Sequence, residues 1–92
     1  MSDNYEIFIR RPFAGIMVSL LESPKYISEL ARDINVTYSH VARLLDILVE
    51  LGLVEIEKDG RKTVVKLTEA GYDVAKDVKS ILKLFIIEGG LK

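Results

Sequence analysis

Residues 28–52 read SELARDINVTYSHVARLLDILVELG. Leu30, Ala31 and Ile34 recur as one face of a short helix over Glu29–Ile34, and Ser28 can accept hydrogen bonds from the free N–H groups at its start. Asn35 tolerates the left-handed conformation that stops a helix abruptly, and Val36 can plug the angle that follows. Thr37 stands where a cap belongs for a longer helix, Tyr38–Leu51, with Gly52 at its C-terminal end. Val41, Leu44, Leu45 and Leu48 line one side of that helix at about 100° per residue. This leaves Ser39, Arg43, Asp46 and Glu50 pointing outward, Ala42 and Ile47 at the margins, and Tyr38 and His40 beside the helix start.

Upstream, Phe13, Ile16, Met17, Leu20 and Leu21 predict a first helix over Pro12–Leu21, ended by Glu22-Ser23-Pro24. Lys25-Tyr26-Ile27 reads as a short extended link. Residues 1–10 are ambiguous, because Tyr5, Ile7 and Ile9 alternate as a strand would and Phe8 breaks the alternation. Downstream, two β-rich runs, Leu53–Glu57 and Thr63–Leu67, flank Lys58-Asp59-Gly60-Arg61-Lys62, and Asp-Gly between such runs predicts a hairpin. Thr68 can cap a last helix that continues to Glu88, before Gly89-Gly90.

Two short helices around a tight turn, the second long and followed by a hairpin, resemble a winged helix-turn-helix over residues 12–71. The junction Leu67-Thr68-Glu69-Ala70-Gly71 resembles the strand-to-helix passage of MarR-like archaeal-type transcriptional regulators. Asn35 stands where the turn of this motif usually has glycine. The resemblance implies an α+β, mostly α fold with a three-helix core, a two-stranded β wing and a long C-terminal helix. Residues 1–11 would then be an N-terminal extension, 12–71 the domain, 72–88 a dimerisation element and 89–92 a tail. It also implies double-stranded DNA as partner, with the helix from Tyr38 in the major groove.

In that geometry the start of the second helix meets base edges. Arg43 can donate two hydrogen bonds to guanine, Ser39 can reach base or phosphate, and His40 lies close by. Thr37, Tyr38 and the free N–H groups beside them suit phosphate oxygens. No acid occurs from Ile34 to Leu45. Lys58, Arg61, Lys62 and Lys66 stand against the single acid Asp59, so Lys58, Arg61 and Lys62 would place the wing on the backbone or in the minor groove. Each residue also has a plainer reading. Ser28 and Thr37 can be caps alone, Tyr38 can pack on the preceding helix, His40 and Arg43 can be ordinary surface residues, and the hairpin can be a solvated turn.

The chain has 92 residues, with 13 Lys+Arg against 14 Asp+Glu and a formal charge of −1. That length accommodates one domain. With no cysteine and one histidine, Cys-based zinc sites, Fe–S clusters and His-rich metal sites are excluded. No nucleophile–base, paired-carboxylate or phosphate-loop spacing emerges, so the expectation is a binding module without cofactor or metal, and not an enzyme. No apolar run reaches a membrane span and the N-terminus lacks the look of a signal peptide, so a cytoplasmic location is expected. The absence of Gln, Cys and Trp, with two Asn, suits a thermophile, although chance can produce it at this length.

In the last helix Val74, Val78, Ile81 and Phe85 follow a heptad rhythm that Ala75, Leu82 and Ile86 widen. A homodimer seam through Val74, Val78, Ile81, Leu82, Phe85 and Ile86 is the expectation; the alternative is that this face covers the domain's own core. The acidic pI of about 5.8, with Asp46, Glu50, Glu55 and Glu57 near the expected DNA face, keeps a protein-docking winged helix as the rival function.

Overall fold

Seven elements follow one another in the computed structural model, which describes residues 11–87, with side chains from Pro12 to Leu84. They are α1 (Arg11–Glu22), β1 (Lys25–Tyr26), α2 (Ile27–Ile34), α3 (Tyr38–Glu50), β2 (Val54–Asp59), β3 (Lys62–Leu67) and α4 (Glu69–Ile87). The alternation at Tyr5, Ile7 and Ile9 and the glycine stop at Gly89-Gly90 lie outside the described residues.

The apolar periodicities of α1, α2 and α3 converge on one core. Phe13, Ile16, Met17 and Leu20 from α1, Ile27 and Leu30 from α2, and Val41, Leu45 and Leu48 from α3 are all buried. The sheet adds Val54 and Val65, and α4 adds Ala75. Leu44, Ala31, Ile34 and Val36 pack half-buried against this cluster, so Val36 does fill the angle of the turn. Asn35 has φ 59° and ψ 52°, the left-handed residue that ends α2.

Two local expectations need correction. First, Ser28 does not cap α2, because the helix begins at Ile27, two residues before the expected Glu29. Its start is closed by Glu29, whose Oε1 accepts the Tyr26 backbone N–H at 2.9 Å. The extended link, as expected, is extended, and its first two residues form a strand. Lys25 pairs with Val65 and Tyr26 with Val64, so β1 adds a third strand to the expected two-stranded wing, in an antiparallel sheet of order β1-β3-β2. Second, the hairpin loop is shorter than the sequence suggested. Asp59 pairs with Lys62, which leaves Gly60-Arg61 as a two-residue loop. Positive φ occurs at Gly60 (68°) and not at Arg61, the pattern of a type II′ turn.

The root of this hairpin is tied to both neighbouring helices. Leu53 N–H donates to Leu48 O at 2.9 Å, and Thr68 N–H donates to Leu53 O at 3.1 Å. Thr68 caps α4 as expected, its Oγ1 accepting the Gly71 N–H at 3.0 Å, and it also donates to Gly52 O at 2.6 Å. A Cβ at Gly71 would stand 1.8 Å from Leu53 O. Only glycine fits there.

Candidate nucleic-acid interface

The start of α3 is built by its cap. Thr37 is extended, and its Oγ1 accepts the His40 N–H at 3.2 Å. That bond satisfies one of the orphan donors at the helix start, and the first turn carries no acid. Because Val41, Leu45 and Leu48 are drawn into the core, Thr37, Tyr38, Ser39, His40 and Arg43 are all exposed. Tyr38 is 53% exposed, which leaves about half of the side chain accessible to a partner. Among the described residues Arg43 has no carboxylate within ion-pairing distance. Asp46 and Glu50 continue the same outward face toward the C-terminal end.

The wing brings Lys58, Arg61 and Lys62 together at one end of the β2–β3 hairpin, all exposed. Its cations are not equivalent. Lys66 Nζ lies 3.1 Å from Glu57 and 4.0 Å from Glu55, so the fourth basic residue is neutralised on its own sheet. The hydrogen bond to Glu57, then the charges of Glu57 and Glu55, hold the Lys66 ammonium pKa above its ordinary value, outweighing its partial desolvation. Lys62 places its ammonium 4.7 Å from the centroid of the Tyr26 ring. The Tyr26 hydroxyl donates to Asp59 Oδ2 at 3.0 Å. That hydrogen bond, and then the Asp59 charge, push the Tyr26 pKa upward.

Tyr26 is the residue that sequence reasoning missed. It belongs to a two-residue strand with no periodicity, and it meets Asp59 across 33 positions of chain. Lys25, its neighbour, is a structural cation. Its Nζ bonds Ser19 O at 3.2 Å and Ser19 Oγ at 3.0 Å, with Glu22 at 3.4 Å and Asp33 at 4.0 Å.

The outer surface of α4 divides into faces. Val74 and Val78 are half-buried and pack against the domain's own core, as in the intramolecular alternative. Leu82 is half-buried, whereas Ile81 is 52% and Leu84 58% exposed. Phe85 and Ile86 lie outside the residues whose side chains are described. A separate face carries Tyr72, Lys76, Lys79, Ser80 and Lys83 around a shallow groove beside Leu21. Among the described residues no group of His, Asp or Glu could hold a metal ion, and no helix is long and apolar enough to cross a membrane.

Comparison with known proteins places this arrangement. An uncharacterised protein of Archaeoglobus fulgidus is 32% identical over 59 residues, which span 64% of this chain and 62% of the relative. The crystal structure of AF1382, also from Archaeoglobus fulgidus, superposes with a TM-score of 0.79 at 23% identity, covering 90% of this chain and 97% of that one. A MarR family transcriptional regulator from Silicibacter pomeroyi gives 0.78 at 24% identity, over 86% of this chain and 58% of that one. The adhesin competence repressor of Streptococcus pyogenes gives 0.80 at 19% identity, over 88% and 63%. At these identities the solved structures share the fold, and the chain spans under two thirds of the two regulators. The family model described as winged helix DNA-binding domain matches residues 16–71, more than half of the chain. With its capped and exposed third helix and its basic hairpin, the chain belongs to the winged helix DNA-binding domain family, a binding family and not an enzymatic one.

Proposed function

We propose that this domain acts as a dimeric, MarR-like transcriptional regulator in the cytoplasm, binding double-stranded DNA in a sequence-specific way. The start of α3 enters the major groove, where Arg43 reads a base and Ser39 and His40 reach bases or nearby phosphates. Thr37 and Tyr38 approach the backbone, and Lys58, Arg61 and Lys62 place the wing on the backbone or in the minor groove. The observation that carries this reading is the exposed, acid-free opening of α3, together with a hairpin whose Lys58 and Arg61 have no carboxylate partner among the described residues. Duplex affinity comes from local phosphate neutralisation, so a net charge of −1 is no obstacle. A two-fold dimer would present two copies of α3 about 34 Å apart, matched to an inverted repeat. The exposed Ile81 and Leu84 support α4 as its seam.

A gel-shift titration with mixed-sequence duplex at graded salt tests the reading, followed by selection from randomised duplex and a mass measurement in solution. Binding that weakens steeply with salt, an enriched inverted repeat and a dimer mass are expected. Salt-insensitive or absent binding overturns the proposal.

A second reading has its own observation. Val49, Leu51 and Ile56 are exposed, and Asp46, Glu50, Glu55 and Glu57 share the end of α3 and the outer strand with them. Such a surface suits docking to another protein, and absence of salt-sensitive duplex binding would favour it.

A further inference from the structure

Asp59 and Lys62 are directly opposed in the β2–β3 ladder, the position from which opposite charges ordinarily attract each other across two strands. They nevertheless form no ion pair among those within 4.0 Å. The reason is a third residue. The Tyr26 hydroxyl holds Asp59 Oδ2 at 3.0 Å, and the Tyr26 ring lies 4.7 Å from Lys62 Nζ. One side chain therefore takes the carboxylate by its tip and the ammonium by its face. The same sheet shows the alternative outcome, because Lys66 has no such intermediary and collapses onto Glu57 at 3.1 Å.

We propose that Tyr26 is a positioning residue of the DNA-binding surface: it keeps Asp59 from neutralising Lys62, so that the wing retains a cation for phosphate. Tyr26 need not touch DNA. A ring contact leaves the ammonium charge intact and open on its far side, whereas a carboxylate contact would cancel it. The backbone of Tyr26 makes the placement firm, since its N–H is held by Glu29 at the start of α2 and its strand pairs with Val64. The inference rests on the DNA-binding reading for its consequence and on the free protein for its geometry.

Two measurements on the full chain separate these. In the free protein, NMR reads the ring-current shift of the Lys62 ε-methylene. Tyr26→Phe, which removes only the hydroxyl, is expected to diminish that shift as Lys62 moves toward the released Asp59. Tyr26→Phe combined with Asp59→Asn is expected to restore it. With mixed-sequence duplex DNA, Tyr26→Phe is expected to lower the slope of log affinity against log salt by about 0.9 and to weaken low-salt binding roughly threefold, the signature of one lost phosphate contact. In the Asp59→Asn background the same substitution is expected to change neither.

If Tyr26→Phe leaves both the NMR shift and the salt slope at parental values, the proposal fails while DNA binding stands. A hydroxyl needed only to brace the sheet would weaken binding equally with and without Asp59, and that result also overturns it. Should the NMR shifts behave as expected while the parent shows no salt-dependent binding, the spacer geometry survives and the assignment of a DNA-binding role to Tyr26 falls with the DNA reading.

Discussion

The opening of α3 and the β2–β3 wing carry positive charge in different ways. On α3, Arg43 and the helix N-terminus are displayed by the core, because burying Val41, Leu45 and Leu48 leaves no other direction for the outer face. On the wing, Lys66 is matched by Glu57, whereas Lys62 is held by the Tyr26 ring with its charge left open. A count of basic residues makes the wing the stronger site. The contacts show that helix packing presents a charge outward more dependably than a two-stranded ribbon, where opposite charges lie within reach across the ladder.

Disrupting the root shared by both regions should have the largest effect. Gly71→Ala would drive a methyl group into Leu53 O, and a loss of about 3 kcal/mol or more is expected in denaturant unfolding. Arg43→Ala should come next. It is expected to cost about 1–3 kcal/mol of binding to a selected site and to relax preference at one base position, with unfolding unchanged. Selection from randomised duplex with the variant measures both.

The wing supplies a sharper contrast of smaller size. Arg61→Ala should flatten the salt dependence by about one unit for every sequence, whereas Lys66→Ala should leave it unaltered because its charge is already matched. An equal effect of the two would erase the distinction between engaged and available cations. The smallest expected effect is on alkaline stability. Tyr26 and Lys66 both have folded pKa values above their ordinary 10.0 and 10.5. Their contributions are therefore complete below those ordinary values and vanish as pH rises through the folded ones. Thermal unfolding of Lys66→Ala should accordingly converge on the parent at high pH and differ from it, slightly, near neutrality.

The two regions also differed in how readily their residues could be read from the chain. α3 was legible because its information is local: Thr37, the 3.6-residue stripe and Asn35 all act within a few positions. Thr68 was legible for the same reason, although its second bond, to Gly52, was not. The error at Ser28 came from a competing device, since Glu29 reaches back to Tyr26 and starts the helix at Ile27, two residues earlier than the serine implied. The wing was legible as a hairpin and illegible as a charged surface. Its chemistry depends on Lys25-Tyr26, whose strand has only two residues and gains its identity solely from β3. Lys66 could have been resolved from register alone, because Glu55 and Glu57 alternate on one face of the facing strand. On α4, Val74 and Val78 satisfied a heptad rhythm equally well as seam or as lid. Periodicity does not say which body a stripe faces; both residues pack half-buried against the domain's core.

The carbonyl of Leu53 accepts from the start of α4 and touches Gly71, while the Leu53 amide is tied to the end of α3. One peptide neighbourhood thus serves as a mechanical joint without a cushioning side chain. A tilt of α4 would therefore pull on the foot of the ribbon and on the C-terminal end of α3. In the proposed mode of DNA binding, the spacing between α3 and the wing would thus answer to the angle of α4.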